Sequence, residues 1–142
     1  MKNKNKRILI SGYFDPFHIG HLDLIKRARK FGNYLIVIVD NDKQARLKKG
    51  KAFMPENERV AIMKSIKGVD KVILSIDKDK TSCKTIEMMK PKPDILVNGG
   101  DRIDGTIPEQ ETCERLGIKM INNVGKKLQS SSALTGLNKL IK

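Results

Sequence analysis

His18 and His21 are the only two histidines in the chain. They fall in "SGYFDPFHIGH" (residues 11–21), directly after the apolar run "ILI". If a helix begins near Ile19, the pair sits on its first turn and points one way. That end of a helix carries unpaired N–H groups and the positive end of the dipole, and so holds phosphate. Gly20, between the rings, lets a ligand approach the backbone, and Gly12 frees the turn out of the preceding strand. The arrangement suits a triphosphate lying across a helix start with two imidazoles donating hydrogen bonds to it. Other readings fit less well. Chance surface neighbours leave the flanking "GYFDPFHIG" unexplained. A zinc site needs three or four ligands, and Cys83 and Cys113 lie far off in the sequence. A dinucleotide site asks for GxGxxG after the first strand, where this chain has Gly12 and Gly20.

The elements that must position this motif alternate along the chain. "RILISG" (7–12) reads as a short buried strand. Ile19, Leu22, Ile25, Ala28 and Phe31 form one helical stripe stopped by Gly32. "YLIVIV" (34–39) is a central parallel strand covered on both faces. Residues 40–54 form a basic loop or partial helix. Pro55 opens a helix in its first position, Val60, Ile62, Met63 and Ile66 bury, and Gly68 closes it. "KVILSI" (71–76) is the third strand, followed by a short helix over 82–90. "DILVNGGD" (94–101) is the fourth strand and its glycine turn. Pro108 begins a helix ending near Gly117, "IKMINNV" (118–124) is the fifth strand, and a last helix spans 133–141.

This repetition predicts an α/β fold, a Rossmann-like doubly wound five-stranded parallel sheet with helices on both faces, in a single domain over 1–142. Ligands in such sheets bind beyond the strand C-termini where strand order reverses. The unusual stretches "SGYFDPFHIGH", "NGGD" and "GKKLQSSS" all follow strands.

Composition limits the function classes. The 142 residues carry a formal net charge of +13, which attracts polyanions, either nucleic acid or a phosphate-rich small substrate. Four Phe, two Tyr and no Trp are few for a single-strand binder that stacks bases, so nucleic acid is the weaker choice, and much of the lysine excess is solvated surface. No apolar run reaches membrane-span length and no signal peptide is evident. Two cysteines make neither a disulfide scaffold nor a CxxC site, so a cytoplasmic protein with reduced thiols is expected.

"GYFDPFHIGH" resembles the GxFDxxHxGH signature of the cytidylyltransferase-like small nucleotidyltransferases, among them glycerol-3-phosphate cytidylyltransferases, heptose-1-phosphate adenylyltransferases and archaeal FAD synthases. "RLKKGK" (46–51) is similar to the family's lysine loop and "PENERVAIMKSIKGVDKVI" (55–73) to its helix and third strand. "KPDILVNGGD" (92–101) resembles the glycine–aspartate turn of the heptose-1-phosphate adenylyltransferases, and "LQSSSAL" (128–134) their C-terminal serine/threonine signature. The resemblance therefore spans nearly the whole chain. Tyr13 departs from the Thr or Cys often found there, so that phosphate contact is either lost or made by Ser11 or a backbone amide. Gly125, Lys126 and Lys127 replace the arginine and glutamate of the cytidylyltransferase version.

The resemblance implies attack by an acceptor phosphate oxygen on the α-phosphorus of ATP or CTP, with release of pyrophosphate. His18 and His21 would contact the triphosphate and stabilise the transition state, while Lys48, or else Lys49 or Lys51, would neutralise phosphate charge. Tyr13, Phe14, Asp15 and Gly20 would line the phosphate cradle, and Asp15 is equally well read as a helix cap. Arg59 would face the phosphates, or pair with Glu56 or Glu58. Gly100 and Asp101 would hold the turn or reach ribose or acceptor. Ser130, Ser131 and Ser132 would bind the β- and γ-phosphates or cap the last helix. Mg²⁺ would bridge phosphates, keeping its waters and needing few protein ligands. A homodimer is implied too. The acceptor would be a phosphorylated small molecule of sugar phosphate, heptose phosphate or glycerol 3-phosphate type. FAD synthesis is the alternative within the enzyme class, and a basic nucleic-acid-binding module the alternative outside it.

Overall fold

The computed structural model describes residues 5–99 and 107–125. Its strands are β1 (Arg7–Gly12), β2 (Tyr34–Val39), β3 (Lys71–Leu74), β4 (Ile95–Gly99) and β5 (Lys119–Val124). Its helices are α1 (Ile19–Ala28), α2 (Asp42–Lys49), α3 (Glu56–Lys64), α4 (Cys83–Glu87) and α5 (Glu109–Leu116), with a 3₁₀ turn at Arg29–Phe31 after α1. The strands form one parallel sheet in the order β3-β2-β1-β4-β5. The fold is thus the expected Rossmann-like α/β architecture.

Strand alternation sorts the core into two layers. Ile8, Ile10, Leu35, Val37, Val39, Ile95 and Val97 pack with Ile25 and Ala28 of α1 and Met63 of α3. Leu9, Ile36, Ile38 and Leu96 point the other way, onto Ile86 of α4 and Cys113 of α5. Helices therefore cover both faces, and strand order reverses between β1 and β4. Pairing of β1 with β2 runs the full strand to Gly12–Val39, whereas its pairing with β4 is at Ile8–Ile95 and Leu9–Leu96. The ladder between the two central strands thus stops short of their C-terminal ends, at the switch point.

Several local expectations change. The segment read as loop or partial helix contains α2, because Asn41 and Gln44 form a reciprocal capping box at its start. Pro55 precedes α3 instead of occupying its first position, and its carbonyl accepts the Glu58 and Arg59 N–H groups. Ile62 was expected to bury but is 38% exposed, since the fully buried side of this short helix is Arg59 and Met63, four residues apart. Gly32 is required sterically: a Cβ there would lie 2.4 Å from the Lys6 carbonyl oxygen as the chain enters β2. The helix expected over 133–141 lies outside the described residues.

Candidate active site

The histidine pair starts α1 by capping it with its own rings. His18 is the N-cap, and its Nδ1 accepts the Gly20 N–H at 3.1 Å. His21, at the third helical position, accepts the His18 N–H on its Nδ1, also at 3.1 Å. This is a capping box built from two imidazoles. Because both Nδ1 atoms are acceptors, the proton of each neutral ring is assigned to Nε2. The rings stack with centroids 3.8 Å apart and planes 20° apart. Phe14 meets His21 edge-on at 4.8 Å, and Phe17 lies 5.6 Å away. Burial, then the neighbouring His18 and Lys49 charges, push the His21 pKa down to about 3, and burial also lowers that of His18. At neutral pH the pair is uncharged, with two Nε2–H donors.

The turn that delivers these rings is held by a buried ion pair. Asp15 is fully buried, and its carboxylate accepts the Phe53 N–H at 2.8 Å and the Met54 N–H at 2.6 Å. Lys49 Nζ lies 3.0 Å from the same carboxylate and donates to the Asp15 carbonyl at 2.9 Å. Asp15 therefore does not cap α1, which His18 does; it clamps the motif to the segment after α2. The left-handed residue of this turn is Phe14, at φ 52°. Gly12 stays small for a different reason: a Cβ there would approach the Phe14 ring to 3.1 Å. Phe14 is thus folded back over the strand end, where its edge supports His21.

Arg59 is 1% exposed and bonded on every nitrogen. Nε donates to the Met54 carbonyl at 2.9 Å; Nη1 donates to the Tyr13 carbonyl at 2.8 Å and the Asp40 carbonyl at 2.6 Å; Nη2 reaches Asp42 at 2.7 Å. The sequence pointed to phosphate, Glu56 or Glu58 as its partner. Its carboxylate partner is instead Asp42, whose N–H donates to Glu56. Arg59 braces the ends of β1 and β2 from below.

Of the three candidate lysines, Lys49 is 3% exposed and committed to Asp15. Lys48 and Lys51 are exposed, and the Lys48 ammonium lies 4.6 Å from the centre of the Tyr13 ring. Gly20 is bound to the histidine cap through its N–H. Gly100, Asp101, Ser130, Ser131 and Ser132 lie outside the described residues. Among those described, no group of three or more His, Cys, Asp or Glu is placed to hold a metal ion. No helix among them is long and apolar enough to cross a membrane.

Sequence reading missed two features. The Asp15–Lys49 clamp joins residues far apart in sequence, and its one signal was Lys49 following Ala45 at helical spacing. The second is Asp40, a carboxylate closing the apolar run of β2. Burial, then Glu109, push its pKa up to about 7, with Lys48 and Arg59 opposing.

Comparison with known proteins adds to this geometry. Residues 9–128 match the model of the cytidylyltransferase-like family. An FAD synthase of Aciduliprofundum boonei is 35% identical over 135 residues, 95% of this chain and 87% of that protein. The bifunctional protein HldE of Koribacter versatilis is 34% identical over 113 residues, 78% of this chain and 22% of that protein. Among solved structures, a lipopolysaccharide core biosynthesis protein from Thermoplasma volcanium superposes with a TM-score of 0.72 at 33% identity. That match covers 85% of this chain and 97% of the other.

Proposed function

The chain belongs to the cytidylyltransferase-like family and is a nucleotidyltransferase, and we propose that it transfers the nucleoside monophosphate of ATP or CTP to the phosphate of a small hydroxylated molecule, releasing pyrophosphate. The observation that carries this reading is the pair of stacked imidazoles at the start of α1, each with Nδ1 taken by a backbone N–H and Nε2–H left as a donor, directly after β1 at the switch point of the sheet.

The reaction brings an anionic nucleophile to an anionic phosphorus, so its barrier is mainly one of positioning and charge. Neutral imidazoles suit the positioning part. Their donors are fixed by the backbone before substrate arrives, and the stacked rings do not repel one another as two cations would. As charge moves onto the departing pyrophosphate, the Nε2–H bonds shorten and strengthen. Lys48 supplies positive charge from the rim, and the N-terminal dipole of α1 adds to it. The Asp15–Lys49 clamp and the Arg59 brace keep the turn from shifting during transfer. Mg²⁺ enters in this reading on the triphosphate. It needs few protein ligands and keeps its waters, and when bound it would screen the phosphate charges.

The nucleotide and acceptor have two readings. A sugar phosphate, heptose phosphate or glycerol 3-phosphate fits the likeness to HldE and to the lipopolysaccharide core protein. FMN with ATP as donor fits the likeness to an FAD synthase, which runs along 95% of the chain. A homodimer belongs to the same proposal, on resemblance alone. Pyrophosphate release should be measured with ATP, CTP, GTP and UTP in turn, each against FMN, glycerol 3-phosphate and heptose 1-phosphate. One nucleotide–acceptor pair is expected to stand out by at least tenfold. Release with none of them, alongside salt-steep RNA or DNA binding that His21→Ala leaves unchanged, would favour a nucleic-acid-binding module instead.

A further inference from the structure

We infer that Asp40 is a specificity-determining residue of the acceptor site, its carboxylate accepting a hydrogen bond from a hydroxyl of a polyhydroxylated phosphate monoester. This rests on the reading of the protein as a nucleotidyltransferase with a phosphorylated acceptor.

Asp40 is 7% exposed, and its Oδ1 is buried without a hydrogen-bond partner. Buried polar atoms in folded proteins are almost always satisfied, so an exception asks for a cause. Its backbone is fully engaged: the N–H donates to the Gly12 carbonyl at 2.9 Å, and the carbonyl accepts Arg59. The neighbouring acids differ. The Asp77 carboxylate accepts the Lys84 and Thr85 N–H groups and the Thr85 hydroxyl, and Glu109 accepts the Ser82 N–H. They are tied into the fold, while Oδ1 of Asp40, on the residue just past the C-terminal end of β2, has no hydrogen-bond partner.

Position gives that oxygen a use. Ile36 and Ile38 point to the α4 and α5 face, and Asp40 continues their alternation. It therefore lies across the sheet edge from the histidines, which start the helix packed on the other face. In an in-line displacement the nucleophile approaches opposite the leaving group. With pyrophosphate held on the α1 side, the acceptor comes from the side where Asp40 stands. Lys48 is close enough to favour the ionised form of Asp40. A cation beside an unsatisfied carboxylate recognises a molecule with a phosphate at one end and hydroxyls along its body, and repels one with a second phosphate there.

The groups acting on Asp40 are Glu109 of α5, Asp77 after β3, Lys48 of α2 and Arg59 of α3. A hydroxyl donor favours the carboxylate form, so acceptor binding should strengthen as pH rises through about 7. The same group opposes folding at high pH. Its native pKa lies above its unfolded value, so stability falls as pH rises from about 4 past 7.

The test compares wild type with Asp40→Asn, using ribitol 5-phosphate and n-pentyl phosphate as matched probes with and without hydroxyls. The wild type should prefer ribitol 5-phosphate at least tenfold, in kcat/KM for pyrophosphate release and in binding by calorimetry. That preference should grow between pH 6 and 8. Asp40→Asn should cut it below threefold through KM, abolish its pH dependence, leave nucleotide Kd within twofold, and raise the melting temperature more at pH 8 than at pH 5. No preference in the wild type, or one that survives in Asp40→Asn, would overturn the inference while leaving nucleotidyl transfer intact. Equal loss with both probes that extra Mg²⁺ restores would overturn it in favour of a metal ligand. Absence of nucleotide-dependent pyrophosphate release with any acceptor would instead remove the reading of the enzyme itself.

Discussion

His21 Nδ1 accepts the backbone N–H of His18 while the two rings stack 3.8 Å apart. Together with the Gly20 N–H on His18 Nδ1, this contact fixes the start of α1 and leaves Nε2 of each ring as its donor. Structure and chemistry are coupled at this point, and variants of the pair should show both.

His21→Ala removes one donor and half of the capping box. Loss of a single preorganised donor of this kind lowers turnover by about 10²–10³-fold, and loss of a cap costs about 1 kcal/mol. Pyrophosphate release should fall by that factor while far-UV circular dichroism stays native and the melting temperature drops by a few degrees. Loss of activity only in proportion to loss of fold would make the residue purely structural.

Lys48 and Lys49 are adjacent and should behave oppositely. Lys49→Ala leaves Asp15 as a buried, uncompensated charge, an effect of about 3–5 kcal/mol, visible as a large fall in denaturation midpoint. Lys48→Ala should leave the unfolding free energy within about 0.5 kcal/mol and raise KM or lower kcat for transfer. The reverse pattern would mean that the clamp is misplaced.

How much of this was legible in the sequence depends on how local the signal was. Periodicity placed β1 and β2 at the residues where they occur, because long apolar runs between polar segments leave little choice. The histidine motif was legible for the same reason: three positions and a helix start suffice to bring two rings together. The choice among Lys48, Lys49 and Lys51 was not legible. On a helix one position is a turn of about 100°, and the start of α2 rests on a box between Asn41 and Gln44. The roles of Asp15 and Arg59 depend on backbone groups of Phe53, Met54, Tyr13 and Asp40, which meet only once the sheet has formed.

Arg59→Lys tests the brace. A lysine ammonium keeps the charge but cannot span four acceptors with a planar fork, so buried carbonyls at Met54, Tyr13 and Asp40 lose donors. A loss of about 2–3 kcal/mol in urea unfolding is expected, with nucleotide affinity changed little. A specific loss of nucleotide affinity at full stability would return Arg59 to the phosphates.

The pH dependence of stability has a defined sign at His21. Its native pKa, about 3, lies below the value of 6.5 for an unperturbed imidazole. Below pH 6.5 the unfolded chain takes up a proton that the folded one refuses. Stability contributed by the neutral ring is therefore present above that pH and is lost progressively as pH falls toward 3. Urea midpoints between pH 7 and 4.5 should decline less steeply for His21→Gln than for wild type. Parallel declines would show that the ring titrates normally in the folded protein.

The central claim is that two neutral rings present their Nε2–H bonds to the triphosphate. Long-range ¹H–¹⁵N spectra of the imidazoles, recorded from pH 5 to 8 with and without magnesium nucleotide, read this directly. Both rings should be Nε2–H tautomers; His21 should not titrate, and both Nε2 resonances should move on addition of the nucleotide that supports turnover. Nδ1–H tautomers, or Nε2 resonances that stay still at saturating nucleotide, would contradict it.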